Sequence, residues 1–161
     1  RAFRRTKLSD ELFPLGSFEG NIGFYGKIMR SKSRECAFKI IYADLINPNA
    51  GSSTRRSVYK SFGLNEEECA YADKLLAEVE EHREELVAVL DKYSIGFSEK
   101  RLFPVDKSLL LMALAEMRFE EDVPDIVCID EAVGLARKYS TEKSAGFVNG
   151  ILAAYLAGET K

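Results

Sequence analysis

Arg30-Ser31-Lys32-Ser33-Arg34-Glu35-Cys36-Ala37-Phe38-Lys39-Ile40-Ile41-Tyr42-Ala43-Asp44-Leu45 carries the pattern from which the fold class follows. Ala37, Phe38, Ile41, Tyr42 and Leu45 recur at steps of three and four, which places them on one stripe of an α-helix. Downstream, Asn47-Pro48-Asn49-Ala50-Gly51-Ser52-Ser53 is turn chemistry that stops the helix. Upstream, residues 1–28 mix scattered aromatics with Gly16, Gly20, Gly23 and Gly26, and they read as a partly ordered N-terminal extension to a domain spanning 29–161. Those glycines do not follow the G-x-G-x-x-G spacing of a dinucleotide loop, and no strand–helix pattern surrounds them.

Helical periodicity continues to the end of the chain. A short amphipathic piece at 54–62 runs to Gly63. Asn65, with Glu68 three residues later, has the form of a helix N-cap. Ala72, Leu75, Leu76, Val79, Leu86, Leu90 and Tyr93 then form a stripe that predicts one helix of six or seven turns. Pro104 and Pro124 each suit the first turn of a further helix. Leu109, Met112, Ala113 and Met117 face inward in the first of these, and Val127, Ile129, Val133 and Ala136 in the second, which runs through Tyr139. Ser144 is placed to cap a last helix containing Phe147, Val148, Ile151, Leu152 and Tyr155. Beyond the extension nothing alternates with period two. The expected fold is all-α, a bundle of six or seven helices.

Composition narrows the function. With 161 residues, 46% apolar and 30% charged, the chain is one globular domain's worth of sequence. Its longest apolar run, Leu109 to Ala115, is far short of the roughly 20 residues a membrane helix needs. No secretion signal opens it, so a cytoplasmic location is expected. Three separated cysteines (Cys36, Cys69, Cys128) make neither a disulfide framework nor a thiolate metal site and read as small buried hydrophobes. His82, the one histidine, borders the apolar stripe and reads as structural. Glu78, Glu80, Glu81, Glu84 and Glu85 run around their helix and read as a solvated face. No nucleophile, base and orienting group assemble, so neither an enzyme nor a bound cofactor or metal is expected.

Charge is segregated. Residues 1–60 hold twelve Lys/Arg against five Asp/Glu, a balance of +7, and the remaining residues hold eleven against twenty-one, a balance of −10. Such asymmetry suits a polyanion site beside a protein-binding surface. The basic segment Arg30-Ser31-Lys32-Ser33-Arg34 is expected in the first turn of the first helix. Cations oppose the macrodipole there, and a phosphate partner would relieve them. Gly150, inside the last helix, is expected to mark a tight helix–helix approach, since glycine there costs about 1 kcal/mol relative to alanine. Tyr139 and Phe147 flank a loop and are either core residues or rings for stacking unpaired bases.

Arg34-Glu35-Cys36-Ala37-Phe38-Lys39-Ile40-Ile41-Tyr42 resembles the first helix of the bacterial transcription antitermination NusB family. Pro104-Val105-Asp106-Lys107 with Leu114-Ala115-Glu116-Met117, Val123-Pro124 with Ile129-Asp130-Glu131-Ala132-Val133, and Phe147-Val148-Asn149-Gly150-Ile151-Leu152 resemble its later helices. The resemblance covers about residues 29–157 and is most specific in its C-terminal half. It implies a compact NusB-like helical bundle without catalytic activity. That bundle would bind boxA RNA together with NusE, a small-subunit ribosomal protein, and act with other Nus factors on RNA polymerase, notably in ribosomal RNA operons. By position, it implies RNA contacts at Arg30, Lys32, Arg34, Tyr42, Tyr139, Lys143 and Phe147, and NusE contacts at Asp106 and Glu116. Two departures stand out: Ser31 and Ser33 interrupt the family's arginine run, and Lys143 stands where members often carry an acid. A homodimer is left open. The competing readings are the NusB-like domain of a ribosomal RNA cytosine methyltransferase, which expects a cofactor-binding α/β domain beyond Lys161, and a purely protein-binding helical adaptor.

Overall fold

The computed structural model describes residues 18–49, 51–96 and 102–159. Among them lie seven α-helices and no strand: α1 (Phe18–Ile46), α2 (Gly51–Phe62), α3 (Glu66–Glu81), α4 (Arg83–Tyr93), α5 (Pro104–Phe119), α6 (Asp125–Tyr139) and α7 (Glu142–Glu159). None is long and apolar enough to cross a membrane.

The packing is organised by α5. Every residue from Leu109 to Ala115 is buried, whichever way it points. A helix that is apolar on all sides must be enclosed by others. Accordingly α1, α3, α4, α6 and α7 all pack on it, and α6 and α7 form a hairpin along one flank. Phe38, Ile41, Leu75, Leu86, Val133, Val148 and Leu152 complete one continuous core.

Several element ends differ from the sequence-based expectation. The first helix starts at Phe18, not near Met29, so the boundary drawn at 28/29 falls inside a helix and Arg30–Arg34 lie mid-helix. The macrodipole argument for that segment therefore fails, because its N–H groups are no longer at a helix end. Residues 1–17, the remainder of the proposed extension, lie outside the described residues. The long helix expected through Tyr93 breaks at His82, which closes α3 and opens α4 with its ring stacked on Phe119 at 4.1 Å. The last helix is capped by Thr141, whose hydroxyl accepts from the Ser144 N–H at 3.1 Å. Ser144 itself is buried and turned toward Asp106. Gly150 faces open space; the glycine under a neighbouring side chain is Gly158, beneath the Tyr93 hydroxyl. The Asn65 cap is as expected: its side chain accepts from the Glu68 N–H at 2.9 Å.

Candidate nucleic-acid interface

The rotation of α1 about its axis decides which basic side chains reach solvent. Ala37, Phe38 and Ile41 face the core, and Arg34, three and four residues before the first two, shares their side of the helix. It is 1% exposed, and its Nε donates to both carboxylate oxygens of Glu116, at 2.9 and 2.8 Å. A guanidinium nitrogen lies 3.8 Å from Glu131, and the Tyr71 hydroxyl donates to the same Glu116. Burial opposes the charge on Arg34, but Glu116, together with Tyr71, Cys128 and Glu131, outweighs burial and holds the guanidinium above its ordinary value. The same burial, with Glu116 alongside, pushes the Tyr71 hydroxyl up. Arg34 and Glu116, expected on an RNA surface and a NusE surface respectively, instead neutralise each other inside the molecule. The reason is position: Arg34 sits on the apolar side of α1, and Glu116 sits on α5, which its neighbours enclose.

Arg30, one turn earlier, is half-buried. It is held by Asp122 at 2.7 Å and lies over the Tyr71 ring at 4.7 Å. Together Arg30 and Arg34 fasten α1 to α3, to α5 and to the turn before α6.

A different stripe of α1 faces outward: Lys32, Glu35, Lys39 and Tyr42, at steps of three and four. Lys32 and Tyr42 are exposed, and Glu35 and Lys39 are intermediate. The end of α6 closes against this stripe. The Tyr139 ring packs on Phe38 at 5.3 Å, its hydroxyl donates to Glu35, and Lys138 donates to the same carboxylate at 2.6 Å. Burial alone would raise the Glu35 carboxyl, but the Lys138 and Tyr139 hydrogen bonds hold it below the usual carboxylate range. The Lys39 ammonium lies 5.0 Å from the Tyr139 ring centre and 5.1 Å from that of Phe62. Tyr42 extends the row, its ring 6.4 Å from Phe38. The first and sixth helices thus build one surface of cations interleaved with aromatic rings.

Tyr42 and Tyr139 therefore lie together, with Lys32 on the same stripe. Lys143 stands exposed at the start of α7, and Phe147 is half-buried against the core. Asp106 is also buried: it accepts from the Ser144 hydroxyl at 3.4 Å, and burial raises its carboxyl above the usual range. It ties the start of α5 to α7 and is not a surface acid. Sequence reasoning left Glu35, Lys138 and Phe62 out of the site and, though it set Lys39 farther along the basic helix, did not count it among the RNA contacts. The signal was available for Lys39, which stands seven residues after Lys32 and three before Tyr42 on one helical face.

A small helical bundle that presents lysines and tyrosines on one face belongs with the binding modules. The NusB family model matches residues 31–157, and the chain belongs to that family. It is 35% identical over 128 residues to the transcription antitermination protein NusB of Agathobacter rectalis, covering 78% of this chain and 98% of that protein. It is 36% identical over 123 residues to that of Acetivibrio thermocellus, covering 76% and 85%. Among solved structures, a crystal structure of antitermination factors NusB and NusE in complex with double-stranded RNA superposes with a TM-score of 0.74 at 27% identity. That match covers 81% of this chain and 97% of the other.

Proposed function

We propose that this protein is a transcription antitermination factor that binds boxA-type RNA together with NusE, using the α1–α6 face for the RNA. The observation that carries this reading is the Lys39–Tyr139 contact, which joins a basic helix face to the aromatic end of a distant helix. Single-stranded RNA is recognised by stacking its unpaired bases on such rings while cations meet the phosphates. Lys32, Lys39, Tyr42 and Tyr139 are the direct contacts, with Lys143 at the margin and Phe147 supporting α7 from within, while Arg30, held by Asp122 on the side of Arg34, helps to seat α1.

Arg34 acts indirectly, by setting the rotation of α1 that turns this stripe outward. Asp106 and Glu116 support a NusE-binding surface from inside, and the exposed acids of the acid-rich later chain meet the basic ribosomal protein. The structural relative holding both NusB and NusE with RNA supports the shared complex. Membership of the wider assembly with other Nus factors and RNA polymerase, a cytoplasmic location and a role without catalysis follow from the same family reading.

The test is a titration of single-stranded boxA RNA into the protein at two salt concentrations, with and without NusE. The expected result is weak binding alone, tighter binding with NusE, and a logarithmic salt slope of about −0.7 per phosphate contact. Equal affinity for an unrelated duplex would overturn the single-strand reading. No RNA signal in either arm would leave the helical adaptor as the better description.

A further inference from the structure

We propose that the outward face of α2 is a second phosphate track, carrying the part of a single-stranded RNA that extends beyond the α1–α6 face. The proposal rests on the RNA reading above and concerns a helix to which that reading gives no contact. The sequence of α2, Gly-Ser-Ser-Thr-Arg-Arg-Ser-Val-Tyr-Lys-Ser-Phe, contains three cations and no acid. Its inner side is anchored: Val58 and Tyr59 pack against the core, the Tyr59 hydroxyl donates to Asp73 at 2.7 Å, and Arg55 pairs with Asp73 and Glu80 at 3.4 and 3.6 Å. These contacts take up Arg55 and fix the rotation of the helix. Arg56, Ser57 and Lys60 are left exposed on the other side, and no carboxylate of the described residues pairs with Arg56 or Lys60.

Arg56 and Lys60 stand one turn apart, where like charges repel. A polyanion laid along that face relieves the repulsion, whereas a neutral or basic partner does not. Continuity selects RNA among polyanions. Phe62, the last residue of α2 and on the side of Val58 and Tyr59, touches the same Lys39 ammonium that covers Tyr139, so the C-terminal end of the helix abuts the proposed RNA face and its outward side begins about one turn from it. The serine between the two cations adds a hydroxyl donor that reads no base, so the track contributes affinity without sequence preference.

The experiment compares the full chain with the Arg56→Gln/Lys60→Gln variant on two RNAs, a short boxA oligonucleotide and the same oligonucleotide with uridine tails at both ends. The wild type is expected to bind the tailed RNA more tightly. The variant should bind the short RNA unchanged, lose about five- to tenfold on the tailed RNA at low salt, and show a slope shallower by about 1.4, two contacts at about 0.7 each. Equal binding of the tailed RNA by both proteins overturns the track, as does an equal loss on both RNAs. Unchanged RNA binding with a weakened NusE complex would make the face a protein-binding surface and also overturn it. Tyr42→Ala separates the two readings: if it leaves short-RNA binding intact while the α2 variant weakens tailed binding, the α1–α6 assignment fails and the track stands. A wild type that binds neither RNA overturns both.

Discussion

Arg34 and Lys39 stand five residues apart on α1, yet Arg34 is sealed against Glu116 while Lys39 spreads over two rings at the surface. Net charge treats the two alike. Helical phase separates them, because a step of five turns the side chain well away from its starting face. The buried cation fixes where the helix sits, and the partly exposed one can meet a ligand. A count of basic residues in 30–34 therefore overstates the charge offered to RNA: of Arg30, Lys32 and Arg34, only Lys32 is exposed.

The sharpest way to break this division is Arg34→Ala. It leaves Glu116 buried without its cation, held by the Tyr71 hydroxyl and the Cys128 thiol, and losing one partner of a buried ion pair costs about 3–5 kcal/mol. Urea unfolding should show that loss. At a temperature where the variant is still folded, its RNA salt slope should equal the wild-type slope. A slope reduced by a full contact at unchanged stability would place Arg34 on the surface. The double variant Arg34→Met/Glu116→Gln should recover much of the stability, since it removes both charges together.

Tyr42→Ala tests the other region. Tyr42 is 38% exposed, so its truncation costs less packing than that of a core ring, whereas removing a stacking platform costs about 1–3 kcal/mol per base. RNA affinity should therefore fall roughly tenfold or more with the melting temperature nearly unchanged. Tyr139→Phe keeps the ring but removes the hydroxyl that holds Glu35, and a smaller loss is expected from it. If Tyr42→Ala destabilises the fold and spares RNA binding, the ring is a core residue.

How much of this the sequence disclosed follows from the same geometry. The inward face of α5 at Leu109, Met112, Ala113 and Met117 was legible, and its full enclosure could have been read too, because Leu109–Ala115 is apolar at every phase. The Asn65 cap was legible because it is local. The start of α1 was not, since a glycine-rich, aromatic run carries little helical periodicity and only the backbone shows it continuing upstream to Phe18. The break at His82 was hidden because the apolar stripe passes through it in register. Within the site, the burial of Arg34 could have been read: the stripe through Ala37, Phe38 and Ile41, extended back one turn, lands on it. Its partner could not, because Glu116 comes from a helix 82 residues away. Tyr139 was placed in the site from the resemblance, and only the fold shows which α1 residues it meets.

A third region sharpens the contrast by reversing its sign. Glu78 lies against Glu120, whose cationic partner, Lys74, is 2.8 Å away. Here charge loses: burial first, then the hydrogen bond and repulsion from Glu120, with Glu116 adding to them, push the Glu78 carboxyl up to about 9. The folded chain therefore holds this proton more tightly than the unfolded chain. Stability from this group is full in acid and declines as pH rises from the ordinary carboxylate value of 4.5 toward about 9. Glu78→Gln keeps a neutral group at every pH, so it should flatten that decline. The gain at the alkaline end should be about 1 kcal/mol, allowing for screening at a half-exposed site. Parallel pH–stability curves for the two proteins would show that the pair shares no proton.

The smallest effects test how far the exposed region extends. Lys32 on α1 and Lys143 on α7 are both exposed and neither pairs with a carboxylate of the described residues, so replacing either with glutamine should leave stability within about 0.5 kcal/mol. Lys32 shares the stripe of Lys39 and Tyr42, and its loss should reduce the RNA salt slope by about 0.7. Lys143 lies one turn before Phe147, beyond the end of α6 that touches α1. An equal reduction for Lys143→Gln would carry the RNA path across the α6–α7 turn. A slope unchanged within error would keep the path off α7, because a charge more than a Debye length of about 10 Å from the nearest phosphate is screened at 0.1 M salt.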